Sequence, residues 1–411
     1  MDAVVLARSG DPFPRSAFAA PVYRIPALAV TGSGRVLAAY DVRLDWRDLP
    51  GDFDIALRHS DDHGLTWSDA RVLRRHEPGR GFGDASFVVD PDSGRVFCWY
   101  VGSTGRSFFS ADAGPDAAGL ELWLSVSDDD GLTWRHRDLT ALKPADVTGM
   151  FASSGNGSVT RTRLLQPFVL RTTDGQHYAA TAYSDDGGDT WTLGERVGPD
   201  CDENKVLGLP DGSVLLHARA TPRRRAARSV DGGRTFSAPV PDPALVDPAC
   251  NGGRALLDTD RGPVVVASTC DDPDVRTRLS VRTSADLGHT WSPPVLVDAG
   301  ASAYSVAAPL ADGSLGLAWE AGDYDEIVFA RIDAAELGLN GEPASLVARA
   351  GRPGAATPPE VADPGAGSPF PHRGYEDPCH EARRHAQGTG WTGGEHSPNS
   401  VLGCRFVLGA C

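Results

Sequence analysis

The 411-residue chain predicts an all-β protein of closed repeat architecture, and three observations carry that prediction. An octapeptide of the form S-x-D-x-G-x-T-W recurs five times, at intervals of 67, 57, 45 and 55 residues. Short β-rich runs joined by D-G and S-G turns fill the intervals. Helical periodicity is almost absent. Repeats at this spacing point to propellers or solenoids.

The repeats are SDDHGLTW at Ser60, SDDDGLTW at Ser127, SDDGGDTW at Ser184, SVDGGRTF at Ser229 and SADLGHTW at Ser284, with Phe236 replacing Trp in the fourth. Their Asp and Gly suit a hairpin turn, because Asp bonds nearby backbone N–H groups. Thr and Trp then re-enter a strand, where the indole packs between sheets. One Asp per turn offers too few oxygens for calcium, so the boxes are read as structural. Strand-like runs such as DIALRHS, LELWLSVS and YAATAYS precede them, and GLPDGSVLLHARA, APLADGSLGLAWE and VVDPDSGRVFCWY read as further hairpins.

An earlier hairpin is YRIPALAVTGSGRVLAAYDVR, with Gly32-Ser33-Gly34 as its turn. Arg24 sits inside it among apolar residues. A buried guanidinium without a partner is costly, so Arg24 either reaches the surface or meets something negative. From residue 341 the composition turns Pro/Gly-rich without a period, which reads as a disordered tail, 341–411, after a folded domain, 1–340. Within that tail, HEARRH at His380 places its second histidine one residue too late for a zinc helix.

A net charge of −16 disfavours nucleic acid and anionic membranes as partners. The basic run TPRRRAARS is read as an exposed blade edge, since no aromatics interleave it. Lys143 and Lys205 are the only lysines, and every other cationic side chain is arginine. No apolar run is long enough to span a bilayer, so no membrane insertion is expected. The start lacks a signal pattern and reads as cytoplasmic; a different start or a removed signal would make the protein secreted. Seven cysteines, with no C-x-x-C pair, read as buried or tail thiols without a metal.

The motif set, YRIP at Tyr23 followed by the Asp boxes, resembles the bacterial exo-α-sialidases (neuraminidases), the Asp-box or BNR-repeat glycoside hydrolases, over roughly residues 15 to 335. The resemblance implies a six-bladed β-propeller with a pocket at one end of its axis. It implies a monomeric retaining hydrolase of terminal α-linked sialic acids on glycoproteins, gangliosides and oligosaccharides, without cofactor or metal. Two neighbouring activities share these residues, trans-sialidase and deaminated-sialic-acid hydrolysis. A non-catalytic Asp-box propeller that binds glycans or proteins is the rival of another class.

A sialoside carries a carboxylate on its anomeric carbon, so its site needs fixed positive charge, which arginine's planar fork supplies. A carboxylate nucleophile would be repelled there, which rationalises the tyrosine that sialidases use. A phenol needs a nearby base. The resemblance assigns carboxylate binding to Arg24, Arg219 and Arg278, with Arg276 and Arg282 close by in sequence. It makes Tyr304 the nucleophile, Glu203 of DENKV its base, and Glu320 the carboxylate that orients Arg24. Asp48 becomes the acid/base, with Asp45 as the alternative. Asp41 is the strand-end residue before Arg43, and Arg43 with Asp84 would hold the sugar's 4-hydroxyl. The segment GNGSVTRTRLLQPFVLR, from Gly155, is expected to cross the pocket side without chemistry of its own.

Overall fold

The computed structural model describes residues 1–13, 18–161 and 163–349, and the structural statements below concern these residues. The remainder of the tail, with HEARRH, Cys379, Cys404 and Cys411, lies outside them.

Six antiparallel blades follow one another around the ring. Blade 1 comprises Val22–Val30, Val36–Arg43, Phe53–Ser60 and Arg71–Arg74. Blade 2 comprises Gly81–Val89, Val96–Ser103, Leu120–Ser127 and Arg135–Asp138. Blade 3 is built from Val147–Ala152, Arg163–Thr172, His177–Ser184 and Thr192–Leu193, and blade 4 from Asn204–Gly208, Val214–Ala218, Arg223–Ser229 and Val240–Val246. Blades 5 and 6 share one seven-stranded sheet. Their common strand, Val295–Pro309, is the outer strand of blade 5 (after Arg254–Thr259, Gly262–Cys270 and Thr277–Ser284) and the inner strand of blade 6. Blade 6 continues with Leu315–Ala321 and Glu326–Ile332, and Asp2–Arg8 closes it from the other end of the sequence. The one helical element is a 3-10 turn, Thr140–Leu142, and no helix is long and apolar enough to cross a membrane.

The boxes fasten each blade to the one before it. In the first box, the Ser60 hydroxyl donates to Asp62 Oδ1 at 2.7 Å and accepts from Gly64 N at 2.8 Å. Asp62 also accepts from Thr66 N at 2.8 Å and Thr66 Oγ1 at 2.6 Å, so one carboxylate closes the turn. Trp67 donates to Gly64 O at 3.0 Å and packs edge-on against Phe329, ring centroids 5.0 Å apart. A Cβ on Gly64 would lie 2.1 Å from the Phe329 ring, and its φ of +89° also favours glycine. The corresponding glycines of the later boxes meet Leu37, Phe97, Leu165 and Leu215 of the preceding blades. Because the first box meets Phe329 of the last blade, the ring is closed. Blade 6 has no box and is sealed by its N-terminal strand.

Two expectations are adjusted by the fold. The run TPRRRAARS is not an exposed edge throughout, because strand alternation turns Arg224 inward. Arg224 is 1% exposed and donates to Asp247 Oδ2 at 3.1 Å and Cys250 O at 2.7 Å. Arg349, assigned to the tail, is tied to the shared sheet: its N donates to Val297 O at 2.7 Å, and its guanidinium pairs with Asp298 and Glu326. Cys98, Cys201, Cys250 and Cys270 are buried free thiols.

Candidate active site

The inner strands bend where they reach the axis. In blade 1 the register slips between Arg24 and Ala27, and Ile25 adopts a φ of +58°. A β-branched residue in the left-handed region is strained and persists only where its surroundings hold it. Glu320 does so. Its Oε1 accepts from Ile25 N at 2.8 Å and Arg24 Nε at 3.2 Å, and its Oε2 accepts from Tyr304 N at 3.1 Å. The bulge aims Arg24 at the axis, as bulges next to active sites commonly re-aim side chains. Arg24 is thus buried with a partner, and its guanidinium also lies 4.3 Å from the centre of the Tyr324 ring.

Blade 6 brings Tyr304 to the same place. Its strand also slips register, between Ser302 and Ser305. The phenol donates a short hydrogen bond to Glu203 Oε2 across 101 residues. Arg219 Nη1 lies beside the pair, 3.0 Å from the phenol oxygen and 2.9 Å from Glu203 Oε2. Burial and the Glu203 charge push the phenol well above its ordinary pKa, against the pull of Arg219 and Arg276. The phenol therefore stays neutral and holds its proton on the line to Glu203.

The third arginine of this group is Arg276, not Arg278. Arg278 is exposed, at a φ of +56° in a strand whose register slips between Thr277 and Leu279. Arg276, just before the strand, donates to Ala249 O at 2.5 Å and Tyr324 Oη at 3.2 Å, and its Cζ is 5.4 Å from the Tyr304 ring centre. Arg24 Cζ is 5.9 Å from the same ring. Three guanidiniums, Arg24, Arg219 and Arg276, thus surround Tyr304.

Asp48 lies on the loop after Val36–Arg43. Its Oδ1 accepts from Arg43 Nη1 at 2.7 Å and Arg24 Nη1 at 3.1 Å, while half of the side chain, 51%, remains exposed. Burial works to raise the carboxyl, but Arg24 and Arg43 outweigh it and hold it below the ordinary range. Asp45 points elsewhere, pairing with Arg47 at 2.8 Å. Arg43 is itself 1% exposed, clasped by Asp41 Oδ2 at 3.1 and 2.7 Å. Asp84, at a φ of +59°, donates its backbone N–H to Asp41 Oδ1 at 3.0 Å. Burial, with Asp41 beside it, pushes the Asp84 carboxyl well up.

Several residues at this centre have no place in the sequence reading. Tyr324 backs Arg24 and Arg276. Ser154 and Asn251 donate to Glu203 Oε1 at 3.4 and 3.3 Å, and Lys205 donates to both of them. The rarity of lysine in the chain singles out Lys205; no local pattern singles out Asn251 or Ser154. Among the described residues no cluster of His, Cys, Asp and Glu has the makings of a metal centre.

Comparison with known proteins bears on the family and the fold. Residues 34–317 match the family described as BNR repeat-like domain. A sialidase of Micromonospora viridifaciens is 37% identical over 328 residues, 74% of this chain and 50% of that protein, so the chain spans half the length of that relative. The solved Hadza microbial sialidase Hz136 superposes with a TM-score of 0.71 at 25% identity, over 76% of this chain and 66% of that one. A leech intramolecular trans-sialidase shares the fold, with a TM-score of 0.70 at 16% identity over 81% of this chain and 71% of that one. With more than half of its length matched, the chain belongs to the BNR repeat-like domain family and resembles its bacterial-type sialidases.

Proposed function

We propose that this chain is a retaining exo-α-sialidase that releases terminal α-linked sialic acids from glycoconjugates. The observation that carries the reading is Tyr304, which donates to Glu203 while Arg24, Arg219 and Arg276 surround it. A pure binding surface has no use for a buried phenol–carboxylate pair of this kind.

The three guanidiniums would hold the sugar's carboxylate in charge-assisted hydrogen bonds. Asp48 gives its proton to the glycosidic oxygen as the bond to the anomeric carbon breaks. Tyr304 attacks that carbon, and its phenolic proton passes to Glu203. Water then adds at the same carbon as its bond to the Tyr304 oxygen breaks; the water loses its proton to Asp48, and the released phenolate recovers its proton from Glu203. Asp48 is held ionised by Arg24 and Arg43. A sugar carboxylate on Arg24 would offset that positive charge and let the Asp48 pKa rise, as an acid requires. Asp84, with Arg43 clasped beside it by Asp41, would take the sugar's 4-hydroxyl.

The test is incubation of the purified protein with a fluorogenic aryl α-sialoside, with and without lactose. Release of fluorophore supports the enzyme, and a sialylated lactose product would mark transfer over hydrolysis. A protein inert on aryl and natural α2,3-, α2,6- and α2,8-sialosides would overturn the reading in favour of a binding propeller.

A further inference from the structure

Behind Glu203, on the side away from Tyr304, lies a closed polar group that the steps above do not use. Ser154, Lys205 and Asn251 are 2%, 1% and 2% exposed. They come from distant points of the chain: before Gly155–Asn156, on the inner strand of blade 4, and ahead of the first strand of blade 5. Lys205 Nζ donates to Asn251 Oδ1 at 3.1 Å and to the Ser154 carbonyl. Asn251 Nδ2 faces the Ser154 carbonyl at 3.2 Å, Ser154 Oγ at 3.1 Å and Glu203 Oε1 at 3.3 Å.

The direction of these bonds has one solution. The Glu203 carboxylate and the Ser154 carbonyl only accept, so the asparagine must turn its NH2 toward them and its oxygen to Lys205. Reversed, the amide oxygen would face the carboxylate and the Ser154 carbonyl, acceptor against acceptor, while NH2 met NH3⁺. Glu203 is thereby held as an acceptor at Oε1, with Oε2 left for the Tyr304 hydroxyl and Arg219. Of 39 lysines and arginines only two are lysine, yet a lysine occupies this position. It does so although burial, with Arg224 and Arg254 nearby, pushes its ammonium down, against the support of Glu203.

We infer that Lys205 is a positioning residue: acting through Asn251, it sets the orientation in which Glu203 receives the Tyr304 proton. The inference rests on Glu203 being the base of the proposed sialidase. Lys205 bonds Asn251 and Ser154, and Glu203 Oε2 also accepts from Arg219, so its main effect falls on the chemical step, with a smaller one on sugar binding through Arg219.

The experiment compares Lys205→Met, Asn251→Leu and the double variant with wild type on an aryl α-sialoside, with melting temperatures alongside. Each single variant is expected to lose about 10- to 100-fold in kcat, with KM within about threefold, because the lost orientation acts mainly on the proton transfer and only secondarily through Arg219. The double variant is expected to be no slower than the slower single one, because the lysine works through the asparagine. Additive losses, or wild-type kcat in Lys205→Met, overturn the inference. If Lys205→Met does not fold, Asn251→Asp decides. It keeps the shape and gives Lys205 a partner but sets a second carboxylate against Glu203 Oε1, so wild-type kcat in that variant overturns the inference. An inert wild type removes the sialidase reading itself, whereas an active wild type with unaffected variants removes only the role of Lys205.

Discussion

Glu320 holds Arg24 at 3.2 Å with the pair 0% and 4% exposed, and the same carboxylate accepts the backbone N–H groups of Ile25 and Tyr304. One side chain thus ties the inner strand of blade 1 to that of blade 6. Its removal leaves a buried guanidinium short of its counter-charge and two backbone donors without acceptors. Glu320→Ala is expected to lower stability by about 3–5 kcal/mol, as breaking buried ion pairs does. Glu320→Gln keeps one of the two acceptor oxygens and the side chain's volume, and is expected to lose less. Urea unfolding measures both, and a loss below ~1 kcal/mol for the alanine variant would contradict this role.

Arg276 and Arg278 are two residues apart and face different surroundings. Hydrogen bonds to charged groups contribute about 1.5–3 kcal/mol, so Arg276→Ala is expected to raise KM for a sialoside by about 10- to 150-fold. Arg278→Ala is expected to stay within about twofold of wild type, since the side chain is exposed. At its φ of +56°, Arg278→Gly is expected to keep or slightly raise the melting temperature. Steady-state kinetics on the two alanine variants decide the assignment, and the reverse order would restore Arg278.

Asp48 as acid implies a dependence on the leaving group. An alcohol must be protonated as it departs, whereas an acidic phenol departs readily without help. Asp48→Asn is therefore expected to lower kcat/KM on sialyl-sugars by roughly 10²–10⁴-fold. On an activated aryl sialoside the loss is expected to be at least tenfold smaller. Equal losses on both substrates would remove proton donation from its role.

The boxes carry a pH dependence. Hydrogen bonds from Thr66 and Thr133 pull the Asp62 and Asp129 carboxyls down to about 2. Burial opposes the matching bonds at Asp186 and Asp231, yet these too fall to about 2. A carboxyl near ~3.9 in the unfolded chain and lower in the folded one stabilises fully above that value and progressively less as pH falls to the folded value. The melting temperature is expected to drop between about pH 4 and pH 2. Asp186→Ala is expected to melt lower at pH 7 and to show a shallower drop through that window. Calorimetry across the window tests this, and an unchanged slope would assign the acid sensitivity elsewhere.

Turn chemistry made the repeats legible, because each box is a local hydrogen-bonded unit that reads the same wherever it occurs. The six-fold count was not local. Five boxes are present, and the sixth blade is completed by Asp2–Arg8 from the opposite end of the chain. Motif context led to Arg24, Arg219, Glu203, Tyr304 and Glu320, which the fold gathers around the Tyr304 ring. Arg276 and Arg278 share the same parity, so alternation cannot separate them; a register slip does. Asn251 and Ser154 meet Glu203 only because three blades converge. No spacing in the sequence encodes such a contact.

The pairing of Asp2–Arg8 with Glu326–Ile332 also has a meaning in time. Arg8 and Glu326, which pair at 3.0 Å, are separated by 318 residues. On the ribosome, the first strand emerges long before its partner, and the ring cannot shut until the last blade has been made. Tyr304 and Glu320 belong to that last blade, so the tyrosine proposed as nucleophile arrives only after the other five blades have been made. Long-range pairing of this kind slows folding. A nascent chain halted before blade 6 would carry Arg24 and Glu203 without the partners that orient them, and would have no means of attacking a sugar until that blade had been made.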